Sequence, residues 1–201
     1  MNMYLNQLLV YFLLQYEVFA ERTIASSEDY MKNLILAFDD MSNQVTSAGV
    51  HSELGFPFVT IPYFEVAGYH ARVISGVLGF VYCPLVLTRD VDQWKQYSTQ
   101  NSHWIDQGRE YLRSLPPRED GTVVVEIGDE TSNQITPFIW RQDALLNPVI
   151  ADPPPHAPVW LSSPPPANTQ FVNYDMLKEI EFGAAFEAIL VKRGKGFVRG
   201  L

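Results

Sequence analysis

The chain reads as an α+β protein, in which a long N-terminal helix precedes a mixed or antiparallel sheet flanked by further helices. Three observations carry that reading. Apolar residues recur at three- and four-residue steps through much of the first fifty positions. Short β-branched and aromatic runs, bounded by proline or glycine, follow from Phe56 onward. A second helical period, rich in aromatic rings, lies among those runs. With 201 residues, 47% apolar and 18% charged, the chain can bury one substantial core, and a second full domain is not expected. The expected organisation is an N-terminal helical segment over 1–50, an α/β domain over 51–191 with a proline-rich strap at 148–166, and a basic tail over 192–201.

In the first segment Leu5, Leu9, Phe12, Tyr16 and Phe19 set the rhythm, and Tyr30, Leu34, Ala37, Met41, Val45 and Ala48 resume it. This is the spacing of a helix with one apolar face. Ser26 and Ser27 before Glu28 and Asp29 also form a helix start, so one bent helix and two consecutive helices both fit. After Gly49, Pro57 and Pro62 bracket Phe58-Val59-Thr60-Ile61, and the residue before each proline is held away from helical angles. Glu65 to Gly76 reads as a short helix. Leu78 to Leu87 reads as a strand broken by Pro84, which belongs at an edge or a bulge because it lacks an amide proton.

Thr88, with Asp90 and Asp92 in the first turn, starts a second long helix that Pro116-Pro117 terminates. Trp94, Tyr97, Asn101, Trp104, Gly108, Tyr111 and Leu115 share one face of it. A buried Asn101 without a partner would cost about 1–3 kcal/mol, and Gly108 costs about 1 kcal/mol of helix propensity relative to alanine. Both are therefore expected to solve packing problems. Val123 to Ile127 and Ile135 to Trp140 read as strands joined by a hairpin loop over Gly128 to Asn133. The stretch from Pro148 to Pro166 holds eight of the fourteen prolines. Val159 and Trp160 are expected to anchor it as an ordered surface strap, even though Pro155-His156-Ala157-Pro158 has the spacing of a ligand for proline-binding domains. A closing helix is expected from Asn173 or Tyr174 to Leu190.

Residues 1–191 contain ten basic against all twenty-three acidic side chains, a net of −13, and the tail adds Lys192, Arg193, Lys195 and Arg199. An acidic body repels a polyanion, so no nucleic-acid partner is expected. The lone Cys83 excludes an internal disulfide and, in its apolar run, reads as a small buried hydrophobe. The apolar run from Leu8 to Leu14 is too short to span a bilayer and lacks the flanks of a signal peptide.

Catalytic signals are missing. His51, His70, His103 and His156 are scattered without metal-ligand spacing, Ser75 lacks a nucleophile elbow, and Gly194-Lys195-Gly196 lacks the rest of a phosphate loop, so no metal and no cofactor is implied. What remains is binding. Phe56, Phe58, Tyr63, Phe64, Trp94, Tyr97, Trp104, Phe138 and Trp140 are candidates to enclose a small ligand, with Arg72 or Arg141 fixing a carboxylate. Rings at helical spacing more often fill a core, so each single ring is weighed first as packing.

The series Phe56-Pro57-Phe58-Val59-Thr60-Ile61-Pro62-Tyr63-Phe64-Glu65, Pro84-Leu85-Val86, Trp94-Lys95-Gln96-Tyr97, Asn101-Ser102-His103-Trp104-Ile105, Ala157-Pro158-Val159-Trp160, Ser163-Pro164-Pro165-Pro166 and Val172-Asn173-Tyr174-Asp175 resembles the extracytoplasmic sensor region of receptor-type guanylate or adenylate cyclases of microbial eukaryotes. It covers about residues 30 to 180, in order. The resemblance implies a PAS-like or CHASE-like sensor plan, an unknown small-molecule ligand, a homodimer through the terminal helices, and a membrane reached only through flanking segments. It implies no catalysis by this chain, since the cyclase domain lies elsewhere. A free-standing small-molecule module, a proline-strap interaction module and an enzyme with an unusual site are the alternatives. An exposed Trp160 would favour the strap, and a deep pocket holding two hydrogen-bonded ionisable groups would favour the enzyme.

Overall fold

The computed structural model describes residues 2–116 and 135–179, and the fold is α+β. The expected strand at Val123 to Ile127, its hairpin loop, most of the expected closing helix and the basic tail lie outside the described residues. Helix α1 runs unbroken over Asn2–His51, so the serine pair inside it does not start a second helix. Its hydroxyls are used internally instead: Thr23 Oγ1 donates to the Phe19 carbonyl and Ser27 Oγ to that of Thr23. At about 1.5 Å per residue the helix is roughly 75 Å long.

Among the described residues, the C-terminal part of α1 is the docked part. Ala37 and Met41 are buried, and Leu34, Val45 and Ala48 are half-buried, as their spacing predicts. Upstream, Tyr16, Phe19, Ile24, Tyr30, Met31 and Ile35 are exposed. No helix among the described residues is long and apolar enough to cross a membrane.

Helix α2, Phe64–Ser75, packs on α1 and ends on Gly76, whose φ of 71° is left-handed. The second helical period is not one helix. It divides into α3, Val91–Gln100, and α4, Trp104–Ser114. The break falls at Asn101, whose backbone amide and side-chain Nδ2 both donate to the Tyr97 carbonyl, at 3.0 and 2.9 Å. Asn101 thus closes α3 as a side-chain cap. The helical spacing survives across the break because both helices face the same core.

The strands are shorter than the sequence suggests. The expected strand at Leu78 to Leu87 reduces to β1, Phe80–Tyr82, and the one at Ile135 to Trp140 becomes β2, Trp140–Gln142. β2 pairs antiparallel with β3, Pro148–Ile150, and β1 pairs antiparallel with β4, Leu161–Ser163. Single bridges join the two pairs. Val159 donates to Tyr174 and accepts from Asn173, while Trp140 accepts from Asp175 and donates to Asn173.

The proline-rich strap is therefore at the surface mainly in its first part, where Pro148, Ile150, Asp152, Pro153 and Pro155 are exposed. Residues 156–163 run through the middle of the sheet and are buried throughout. Pro158 has no amide to give, and the ladder is completed around it. The Asp175 carboxylate accepts from the Ala157 amide at 2.9 Å, and the Ala157 carbonyl accepts from Met176. Asn173 does not begin a helix, because both its backbone groups are committed to this ladder, and among the described residues a 3₁₀ turn follows at Met176–Lys178.

Trp160 is fully buried at the centre of the core. Its ring meets Trp94, Tyr97 and Trp104 with centroids 5.4, 5.8 and 6.0 Å away, and its Nε1 donates to the Val59 carbonyl at 2.8 Å. This hub ties the strap to α3, α4 and the Phe58 segment.

Candidate functional site

The docked stretch of α1 forms one wall of a cleft of about 540 Å³. Phe38, Met41, Ser42, Val45 and Thr46 come from α1, and Phe80, Val81 and Tyr82 come from β1 opposite. Phe64, the first residue of α2, and Phe56 complete it. The size lies within the range of small-molecule pockets. Phe38 and Phe80 meet edge to face at 5.2 Å across the cleft.

The outer wall is Phe56, half of whose surface is open to solvent. It sits beside α1 because Gly49 leaves room for it. A Cβ on Gly49 would lie 2.3 Å from the Phe56 ring. The preceding Gly55 has a φ of 64°, a left-handed turn that glycine adopts without penalty. Among the hydroxyls, burial pushes the Tyr82 phenol well above its ordinary range, with the neighbouring Tyr97 adding to the effect, so it stays neutral.

A second cleft, about 360 Å³, lies where the end of α1 meets the α3–α4 break. Tyr97, Asn101 and His103 line it with Glu53, Phe58 and Thr60. The Tyr97 hydroxyl is already paired with Thr60 Oγ1 at 2.8 Å.

The residues that the sequence marks for a single pocket are dispersed. Phe64 and Phe56 line the larger cleft and Tyr97 the smaller. Trp94 and Trp104 are core, buried around Trp160, and Trp94 Nε1 donates to Asn173 Oδ1 at 2.9 Å. Tyr63 is exposed and holds its amide on Gln107. Trp140 packs on Tyr174 with centroids 4.8 Å apart, and Arg141 is exposed on β2.

Arg72 is not a ligand anchor either. Its guanidinium pairs with Glu65 and donates from Nε to Ser163 Oγ at 3.0 Å. α2 lies close enough for this because Gly68 faces Ser163, and α4 approaches Glu65 through Gly108. Burial pushes the Glu65 carboxyl above its ordinary value, against the opposing pull of Ser163 and Arg72.

The second buried pair is His156 Nδ1 with Asp175 Oδ2, 2.8 Å apart. Asp175 also raises Cys83, whose thiol is pushed up to about 12, mainly by burial. Neither ionic pair contributes to the lining of either cleft. Among the described residues no three ligating side chains are grouped to hold a metal ion.

The cleft residues of α1 and β1 escape sequence reasoning for a physical reason. Ser42 and Thr46 are small exposed polar residues on a helix, indistinguishable from solvent-facing ones until β1 is placed opposite. Phe38 was the available signal, since a phenylalanine beside the Ala37 and Met41 stripe widens the apolar face. No family model, no curated protein and no solved structure matches this chain.

Proposed function

We propose that this chain is a non-catalytic, ligand-sensing domain in which the cleft between α1 and β1 receives a small molecule and α1 carries the response. The observation that carries the reading is the shared wall: five of the residues lining the cleft belong to α1. An occupant touching one face of a stiff rod biases how that rod packs, and two packings of one helix are enough for a signal. The motif series supports placing the chain in the extracytoplasmic part of a receptor-type nucleotide cyclase, with the membrane reached through flanking segments. The lining of both clefts without either ionic pair supports binding over bond-making.

The exposed face of α1 supports a second copy as partner. Tyr16, Phe19, Ile24, Tyr30, Met31 and Ile35 lie upstream of the docked stretch and are about half or more exposed. The three aromatic rings among them bury up to about 150–250 Å² each, so with the three aliphatic side chains the face approaches the roughly 800 Å² per partner of a standard interface. Sedimentation of the whole chain should give a dimer, and Met31→Glu with Ile35→Glu should give a monomer; a monomeric parent chain would remove this partner. For the cleft, a metabolite library screened by thermal shift should yield compounds that raise Tm in the parent chain and not in Thr46→Trp. Hits that stabilise both equally would contradict the reading.

A further inference from the structure

Among the described residues, the lining of the α1–β1 cleft contains no formally charged side chain. Phe38, Met41, Phe64 and Phe80 give it an apolar body, and Ser42, Thr46 and Tyr82 supply its polar atoms as hydroxyls. A carboxylate, phosphate or ammonium entering here would lose water and gain no counter-ion. Arg72, the cation that the sequence offers as an anchor, is held by Glu65 and Ser163 and is not part of the lining. The neutral Tyr82 phenol both donates and accepts, as do the Ser42 and Thr46 hydroxyls.

We propose that the cleft takes an uncharged, largely apolar small molecule bearing one hydrogen-bonding group, and that the Phe56 ring, seated in the notch at Gly49, closes over it. This rests on the sensing reading and adds the ligand's chemical class and the residue that shuts the site. It replaces the carboxylate expected from Arg72 or Arg141. Phe56 is suited to the task because its flat apolar ring spans solvent and cleft and is set by a glycine on either side, Gly55 before it and Gly49 beneath it.

A matched pair of fluorescent probes tests the class directly. N-phenyl-1-naphthylamine is neutral, and 8-anilino-1-naphthalenesulfonate has the same ring skeleton with one added sulfonate. The neutral probe should bind the whole chain saturably at one site, at least tenfold more tightly than the sulfonate. Thr46→Trp and Val45→Trp, each filling the cleft from α1, should abolish that site; Thr46 is exposed, so its variant is expected to fold, as circular dichroism would verify. Gly49→Val, whose side chain would occupy the Phe56 ring position, should weaken the neutral probe several-fold.

Equal or tighter binding of the sulfonate, lost in both filled variants, would overturn the ligand class while leaving the cleft as a binding site. Neutral-probe binding that persists in both filled variants would overturn the proposal by placing the probe elsewhere, for instance on the exposed α1 face. Binding that follows every expectation without any response in α1 would support the ligand class and remove the sensing role.

Discussion

Arg72 and Glu65 show how a residue changes meaning once its neighbours are known. As a sequence feature Arg72 is a free cation near aromatic rings; in the fold it answers a buried carboxylate seven positions earlier on the same helix. The pair makes a pH-dependent prediction. Glu65 has its folded pKa raised, so its contribution to stability is whole below the ordinary glutamate value of 4.5 and is lost as pH rises through the raised value. Arg72→Met should then cost about 3–5 kcal/mol near neutral pH, where the carboxylate is left buried without its partner. The cost should shrink as pH falls and Glu65 takes up a proton, and Glu65→Gln added to Arg72→Met should recover most of it. Urea denaturation at pH 4.5 and pH 8 measures both, and a cost for Arg72→Met that is independent of pH would refute the assignment.

At the scale of elements, periodicity located the helices well and their ends less well. The α1 stripe and the short helix α2 were legible, the first from its three- and four-residue apolar spacing and the second from the Pro62 and Gly76 that bound it. The α3–α4 break was not, since Tyr97, Asn101 and Trp104 keep helical spacing and only the capping bond of Asn101 reveals the turn. The strap misled for a related reason. Prolines mark a segment as irregular, but the Asp175 carboxylate accepts from the Ala157 amide beside Pro158 and so ties the segment down where it crosses the interior. Gly68 on α2 gives an element-scale test. Helix propensity alone would make Gly68→Ala stabilising by about 1 kcal/mol. The new Cβ, however, would lie 2.2 Å from Ser163 Oγ, so α2 must move off β4. Thermal unfolding should show a lowered Tm, and a raised Tm would mean that α2 and β4 are not packed this closely.

The whole molecule combines a small sheet built around Trp160 with a helix that extends far beyond it. The α+β class and the dominance of α1 were readable, because a fifty-residue amphipathic period has few other interpretations. The site was readable only in part. Phe56 and Phe64 belong to a conspicuous aromatic segment, whereas the larger share of the cleft comes from ordinary residues that acquire a role when α1 and β1 face each other. A cleft walled by the long helix is also the feature on which the functional account depends. The most direct test is hydrogen exchange along α1 with saturating N-phenyl-1-naphthylamine, in the parent chain and in Thr46→Trp. The account predicts slower exchange over residues 37–49 and across β1 on probe binding, absent from the variant. Bound probe that leaves exchange in α1 unchanged would contradict it.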